Sequence, residues 1–388
     1  MKILYLSADP GVPVLGHKGA SVHVRQLVEA LAATGTEVAI ASPRVLFEGE
    51  RLDADVELVE IDPVLPRDHA TVAALRDAVR AQAVDVTKLA ARIRADAIYE
   101  RFSLFSDAGK SAAGTLEIPF VLEVNAPLRD EARFFRTLPH PDEAAAIESA
   151  VFAAADRIFA VSVELTDALV EGGVEAAKVE VLPNAIDPLK FALRHEVGGT
   201  QLTIGFCGSL KPWHGIDVLL DAFRNALAEA GDRTLRLEVV GSGPCERLLD
   251  GLDLPDGALF RHGQLTHSAA LRTMARWDVG VAPYLPVPRF YFSPLKVFEY
   301  MATGLCVIGS DLGQIRALLG NGDRGVLVPA GDVAALADAF VALAHDPART
   351  GAIGARGRAH VRSSHTWAGN AERVLQALRQ GKAAELVA

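Results

Sequence analysis

The sequence predicts an α/β protein of two doubly wound parallel-sheet domains in tandem. Three observations predict it. Short β-branched runs alternate with longer Ala- and Leu-rich runs, the signature of strand–helix–strand units that set a parallel sheet between helices. The pattern breaks at Pro183-Asn184-Ala185-Ile186-Asp187-Pro188 and begins again near residue 203. The 388 residues, 50% hydrophobic but only 6% aromatic, exceed one ordinary core and suit two domains of helix-on-sheet packing.

Taken in order, Lys2–Ser7 reads as a strand and Ser21–Thr34 as a helix with Val24, Leu27, Val28 and Leu31 on one face. Val38–Ala41 and Leu58–Ile61 read as strands, Val72–Arg94 as a helix, Ala97–Tyr99 and Phe120–Val124 as strands, Pro141–Ala154 as a helix and Arg157–Ala160 as a strand. Pro188–Thr200 lacks a regular pattern and reads as a linker. Beyond it, Thr203–Cys207, Arg236–Val240, Val279–Ala282, Cys306–Gly309 and Gly325–Val328 read as strands. Val218–Ala230, Ala269–Trp277, Pro294–Ala302, Gln314–Leu319 and Ala368–Leu378 read as helices. Open sheets of this kind bind ligands at the carboxyl ends of their strands, where the strand order reverses, and the cleft between two such domains is the expected site.

The net charge of −10 is unevenly spread. Residues 1–192 carry 30 acidic against 19 basic side chains, and residues 193–388 carry 19 against 20. An acidic first half argues against nucleic acid or an anionic membrane as partner, and the near-neutral second half is the better host for a phosphate-bearing ligand. Cys207, Cys245 and Cys306 form no CxxC or zinc-type spacing and fit a reducing cytoplasm. Met1-Lys2 leads into an apolar run too short for a signal-peptide core, and no stretch reaches membrane-span length. The expectation is a cytoplasmic protein without stable membrane insertion.

The motif richest in chemistry is Phe292–Gly304. Ser293 followed by Pro294 reads as an N-cap and first helical residue, so Ser293, Pro294 and Leu295 place helix N-terminal groups where an anion binds. Glu299 lies nearly two turns further on, where a carboxylate accepts hydrogen bonds from vicinal hydroxyls such as those of a ribose. Gly208-Ser209-Leu210-Lys211-Pro212-Trp213-His214-Gly215 follows a strand and offers Gly208 for close approach, Ser209 as a donor, and Lys211 and His214 as polar groups around a diphosphate. Gly241-Ser242-Gly243-Pro244 is a strand-end turn, and Gly263-Gln264-Leu265 presents backbone groups to a base edge. In the first half, Gly16-His17-Lys18-Gly19 is a glycine turn between strand and helix. Arg101, Glu123 and Asn125 stand at strand ends. The dehydrogenase GxGxxG, the Walker pattern, GxSxG and HExxH are all absent. Asp53-Ala54-Asp55 precedes a strand on a surface turn, so no metal site is expected.

These motifs, in this order, resemble the retaining glycosyltransferases of family GT4, with the two-domain GT-B fold, over essentially the whole chain. Gly19 matches the N-terminal glycine motif. Pro183–Asp187 resembles "PNGVD", Gly208–Gly215 the basic loop and Gly241–Pro244 the "GxGP" turn. Ser293–Gly304 resembles the second half of E-x7-E, and Trp367 the "F-S-W" before the last helix. There are departures: the first Glu of E-x7-E falls at Tyr291, the loop Arg and Lys at Ser209 and His214, and the donor-facing His at Asn125.

The resemblance implies a retaining, metal-independent transfer of a sugar from a UDP- or GDP-sugar to an acceptor hydroxyl, with the nucleotide sugar as co-substrate and no other cofactor. Residues 1–190 would bind a saccharide or small-molecule acceptor, through His17, Lys18, Arg101 and Glu123. Residues 191–367 would bind the donor, through Gly208, Ser209, His214, Gly241, Gly263, Leu265, Ser293, Pro294, Leu295 and Glu299, with Gly19 added from the first domain. The helix from about residue 368 to 388 would pack back on the first domain. Lys211, Lys296 and Asn125 are the expected catalytic groups, the lysines neutralising the departing diphosphate. A nucleotide-sugar epimerase, a phosphorylase or a nucleotide-binding subunit of the same fold is the alternative.

Overall fold

A computed structural model describes residues 1–45, 49–64, 71–135, 137–191 and 200–384. The chain divides into two compact units. One contains Met1–Gly16, Ala20–Pro183 and Trp367–Ala388, the other His17–Gly19 and Asn184–Thr366.

Among the described residues the first unit holds a seven-stranded parallel sheet. Its strands are β1 (Lys2–Ser7), β2 (Glu37–Ser42), β3 (Glu57–Glu60), β4 (Ala97–Arg101), β5 (Phe120–Val124), β6 (Arg157–Ala160) and β7 (Val179–Val181), in the order β3-β2-β1-β4-β5-β6-β7. The second unit holds six parallel strands: β8 (Gln201–Cys207), β9 (Thr234–Val240), β10 (Leu259–Gly263), β11 (Val279–Ala282), β12 (Cys306–Ser310) and β13 (Val326–Val328). Their order is β10-β9-β8-β11-β12-β13. Central strands are apolar on both faces, as burial between two helix layers requires: Ile3, Leu4, Ile98, Val121 and Phe159 in one sheet, and Ile204, Phe206, Leu237, Val281 and Ile308 in the other, are buried. The order reverses between β1 and β4 and again between β8 and β11, which marks the carboxyl ends of those strands as the ligand edge of each unit.

The domain boundaries differ from the expected ones, and hydrogen bonds account for the shift. The Asn184 backbone N–H donates to Ser293 Oγ at 2.9 Å and its side-chain Nδ2 to the Ser293 carbonyl at 2.5 Å. Ile186 pairs with Thr366. The segment from Asn184 therefore belongs to the second unit, ahead of residue 190. The final helix starts at Trp367 and runs to Ala384, within a residue of the expected start. Asn370 Nδ2 donates to the Pro183 carbonyl at 2.8 Å and Arg373 Nε to Glu180 at 2.9 Å, which fixes this helix to the first unit. Most of the expected linker, residues 192–199, lies outside the described residues. Helices Ala108–Leu116, Leu128–Phe135 and Val163–Glu171 of the first unit were not expected from sequence.

Candidate functional site

In the second unit, β8 runs out through Cys207 into the loop Gly208–Gly215. Three strand ends are tied into one rim there. The Gly208 N–H donates to the Val240 carbonyl at 3.0 Å, the Leu210 N–H to the Ser242 carbonyl at 2.9 Å, and the Gly241 N–H to the Gly263 carbonyl at 2.7 Å. Gly241 has φ +129, and a Cβ there would lie 2.0 Å from the Gly208 carbonyl oxygen. Only glycine fits a position so placed. The glycines at 208, 241 and 263, separate motifs in the sequence, are thus neighbours at the carboxyl edge of β8, β9 and β10. Leu265 is half-buried beside this edge and Ser209 is exposed.

The helix expected from Pro294 begins instead at Leu295 and ends at Thr303, with Pro294 in the N-cap position at φ −76, ψ 99 and no side-chain cap. The Ser293 hydroxyl, expected to cap it, accepts from Asn184 instead. No side chain therefore caps its first turn, where the Val297 N–H donates to the Pro294 carbonyl at 2.9 Å, and the positive end of the helix dipole still attracts an anion. Glu299, 6% exposed, lies with Oε1 2.6 Å from His267 Nε2.

Lys296 brings its amine to the same rim. Nζ lies 4.0 Å from the centroid of the Phe206 ring and 5.3 Å from that of Tyr284. Burial pulls this amine down to about 7, against the opposing pull of Cys207 and Glu299. His214, which stands where the family resemblance places a cation, packs edge-on to Tyr284 with centroids 5.0 Å apart, and its Nδ1 meets the Ser209 carbonyl. Burial, then the Lys296 and Lys211 charges, hold it at about 3, so it is neutral at physiological pH. Lys211 is half-exposed, 5.8 Å from the Trp213 ring centroid.

In the first unit, Arg101 closes β4 beside the strand-order reversal. Glu123 was expected to line an acceptor site, but it is 1% exposed and both its oxygens are engaged by neighbouring side chains. Oε1 accepts from Arg101 at 3.0 Å and lies 2.9 Å from His23 Nε2, and Oε2 accepts from the Tyr99 hydroxyl at 2.7 Å. Burial alone would raise its carboxyl; His23, Arg101 and Tyr99 outweigh that and hold it at about 2. It is an internal anion that fixes the Arg101 guanidinium, not a surface contact. The sequence reading missed His23, whose ring meets Trp367 edge-on at 4.9 Å, and Arg25, which donates to the Val14 and Gly16 carbonyls at 2.9 and 2.6 Å and pins the glycine turn. The available signal was a polar residue on the apolar face of the first helix. Asn125 is half-buried just after β5, with a buried Oδ1 that accepts no hydrogen bond among the described residues. His17, Lys18 and Gly19 group with the second unit. A cavity of about 430 Å³ in the first unit, lined by Arg129, Phe152, Leu165, Leu169 and Lys178 among others, contains none of the expected site residues. Among the described residues no cluster of His, Cys, Asp or Glu is arranged to hold a metal ion, and no helix is long and apolar enough to cross a membrane.

Residues 17–189 match the family model described as "Glycosyltransferase Family 4" and residues 201–346 the model "Glycosyl transferases group 1". The chain is 38% identical over 146 residues to a phosphatidyl-myo-inositol mannosyltransferase of Mycobacterium leprae, covering 36% of this chain and 37% of that protein. It is 27% identical over 300 residues to a D-inositol 3-phosphate glycosyltransferase of Nocardia farcinica, covering 72% of this chain and 65% of that one. These matches thus span between about a third and two thirds of the relatives' own lengths. A protein of the latter name from Kineococcus radiotolerans is 27% identical over 420 residues, 97% of this chain and 94% of its own. Among solved structures, a sucrose-phosphate synthase from Thermosynechococcus elongatus superposes with TM-score 0.75 at 21% identity, over 99% of this chain and 100% of that one. Anabaena HepE, solved with UDP and glucose, superposes with TM-score 0.68 at 17% identity, over 98% and 99%. At these identities the structures establish the fold, GT-B.

Proposed function

Since the chain belongs to the group 1, family 4 glycosyltransferases, we propose that it moves a sugar from a UDP- or GDP-sugar to an acceptor hydroxyl, with retention of the donor's anomeric configuration and without a metal ion. The observation that carries the reading is the meeting, at one sheet edge, of the glycine rim at 208, 241 and 263, the uncapped start of helix Leu295–Thr303, the Lys296 amine and the Glu299 carboxylate. Glu299 accepts from the ribose hydroxyls. The rim and Leu265 face the base and the diphosphate. As the glycosidic bond breaks, charge grows on the β-phosphate, and stabilisation that grows with it lowers the barrier. Lys296, Lys211 and the helix N–H groups supply that stabilisation.

The first unit supplies the acceptor contacts. Arg101, held by Glu123, suits a polyol that bears a phosphate, and the inositol-directed names of the relatives make an inositol-bearing acceptor the first to test. A cytoplasmic setting suits a nucleotide-sugar donor. The test is incubation with a panel of UDP- and GDP-sugars, with and without myo-inositol, its 3-phosphate and simple saccharides. Release of nucleoside diphosphate that depends on acceptor supports the reading. Binding without acceptor-dependent release from any donor contradicts it and favours a non-transferase of the same fold.

A further inference from the structure

Lys296 is the second residue of helix Leu295–Thr303. It is 9% exposed, and among the described residues no group accepts a hydrogen bond from its Nζ. A buried amine without a partner is costly to keep charged. Aromatic rings flank it, Phe206 at 4.0 Å and Tyr284 at 5.3 Å. Towards the rim it meets Gly208, where a Cβ would lie 2.8 Å from Nζ and 3.1 Å from Cε. Gly208 has φ +145, which few other residues adopt. The glycine both shapes the loop and leaves the amine a way to it.

We propose that Lys296, rather than a residue of the loop, is the principal cation for the donor's diphosphate, reaching it past Gly208, and that ligand and proton bind together. This rests on the nucleotide-diphosphate reading above. Around the amine, its own helix contributes Glu299, already paired with His267, and Tyr300. Strand β8 contributes Cys207, whose thiol burial pushes up to about 12 and so keeps protonated. The loop contributes Lys211 and the neutral His214, and the stretch after β11 contributes Tyr284, whose hydroxyl burial likewise keeps neutral. Glu299 is therefore the single anion in this set, and it is shared. An amine held near 7 is about half charged at neutral pH. A diphosphate beside it favours the ammonium, so above neutrality binding must draw a proton from solvent. Donor affinity is then level below about pH 7 and falls about tenfold per pH unit above it.

The test is isothermal titration of UDP-glucose and GDP-mannose into the full chain at about pH 6 and about pH 8, each in buffers of high and low ionisation enthalpy. Their diphosphate diesters have no group that titrates in this range. We expect uptake of roughly 0.9 proton at pH 8 and roughly 0.1 at pH 6. Lys296→Met, shown to be folded by its melting curve, should lose the uptake and bind at least about tenfold more weakly at pH 6. Lys211→Met should weaken binding and keep the uptake. Binding by the unaltered protein without uptake at pH 8 overturns the proton linkage and leaves the nucleotide reading standing. Lys296→Met with undiminished affinity or uptake overturns the role of Lys296. If neither nucleotide sugar binds the folded protein at either pH, the nucleotide-diphosphate reading fails and this inference falls with it.

Discussion

His267 Nε2 and Glu299 Oε1 lie 2.6 Å apart, joining the first residue of helix His267–Met274 to a carboxylate midway along helix Leu295–Thr303. The two helices, 32 residues apart in sequence, thereby hold the carboxylate in one orientation. A ribose that donates from two vicinal hydroxyls needs an acceptor fixed in this way, because each oxygen must be met at a set angle.

Glu299→Ala should accordingly weaken nucleoside diphosphate binding by about 1.5–3 kcal/mol, the usual worth of hydrogen bonds to a charged group. His267→Ala, which frees the carboxylate without removing it, should cost less. Calorimetry with UDP and GDP checks both. Unchanged affinity in Glu299→Ala would remove the ribose assignment.

The rim makes a prediction about backbone. Gly241→Ala places a Cβ against the Gly208 carbonyl, at a positive φ that alanine resists. The expected cost is at least about 2 kcal/mol of stability, seen as a lowered melting temperature, with weaker nucleotide binding in whatever folds. Gly257, also at positive φ but with open space around it, provides the comparison. Gly257→Ala should lose less stability and leave nucleotide affinity unchanged. Equal losses in both variants would mean that the strand ends are not locked as described.

His214 ties stability to pH. Its folded value of about 3 lies below that of an unfolded histidine. The unfolded chain therefore binds a proton that the folded one refuses, and stability falls as pH drops through the window from about 6.5 towards 3. Between pH 7 and pH 5 this amounts to about 2 kcal/mol. His214→Gln should flatten that part of the stability profile, measured by denaturant titration at several pH values. Glu123, held at about 2, contributes stability that is present above about pH 4.5 and lost below it, so it steepens the profile at the acid end only. An unaltered slope in His214→Gln between pH 7 and 5 would count against the buried neutral imidazole.

The account of the leaving group leads to a kinetic expectation. Transfer should survive excess EDTA, and Lys211→Ala should lower kcat more than it raises KM, because the charge it meets increases as the bond breaks. Activity abolished by EDTA and restored by Mn²⁺ would show that a metal ion carries the charge.

Much of this site was legible because it is written in local chemistry. Glycine turns at strand ends, and a loop with Lys211 after a strand, follow from backbone geometry alone, and the strand–helix alternation indicates the parallel sheets. What was not legible depends on distant partners. Ser293-Pro294 has the look of a capped helix start, yet Asn184, 109 residues away, takes the hydroxyl. Glu123 looked like a strand-end polar group because nothing nearby in sequence announces that Tyr99, Arg101 and His23 will meet its carboxylate. Helix Ala108–Leu116, with the sequence AGKSAAGTL, carries two glycines and little apolar periodicity, and only packing against the preceding long helix and the sheet makes it a helix. Strand β7 has three residues, too few for an alternation to register.

The central claim is group transfer from a nucleotide sugar with retained configuration, and the most direct measurement is proton NMR of the product formed from the donor and acceptor pair that the panel selects, in the presence of EDTA. The prediction is a new glycosidic linkage whose anomeric coupling matches that of the donor, formed in step with nucleoside diphosphate. A product of inverted configuration, or no glycosidic product from any UDP- or GDP-sugar, would contradict it.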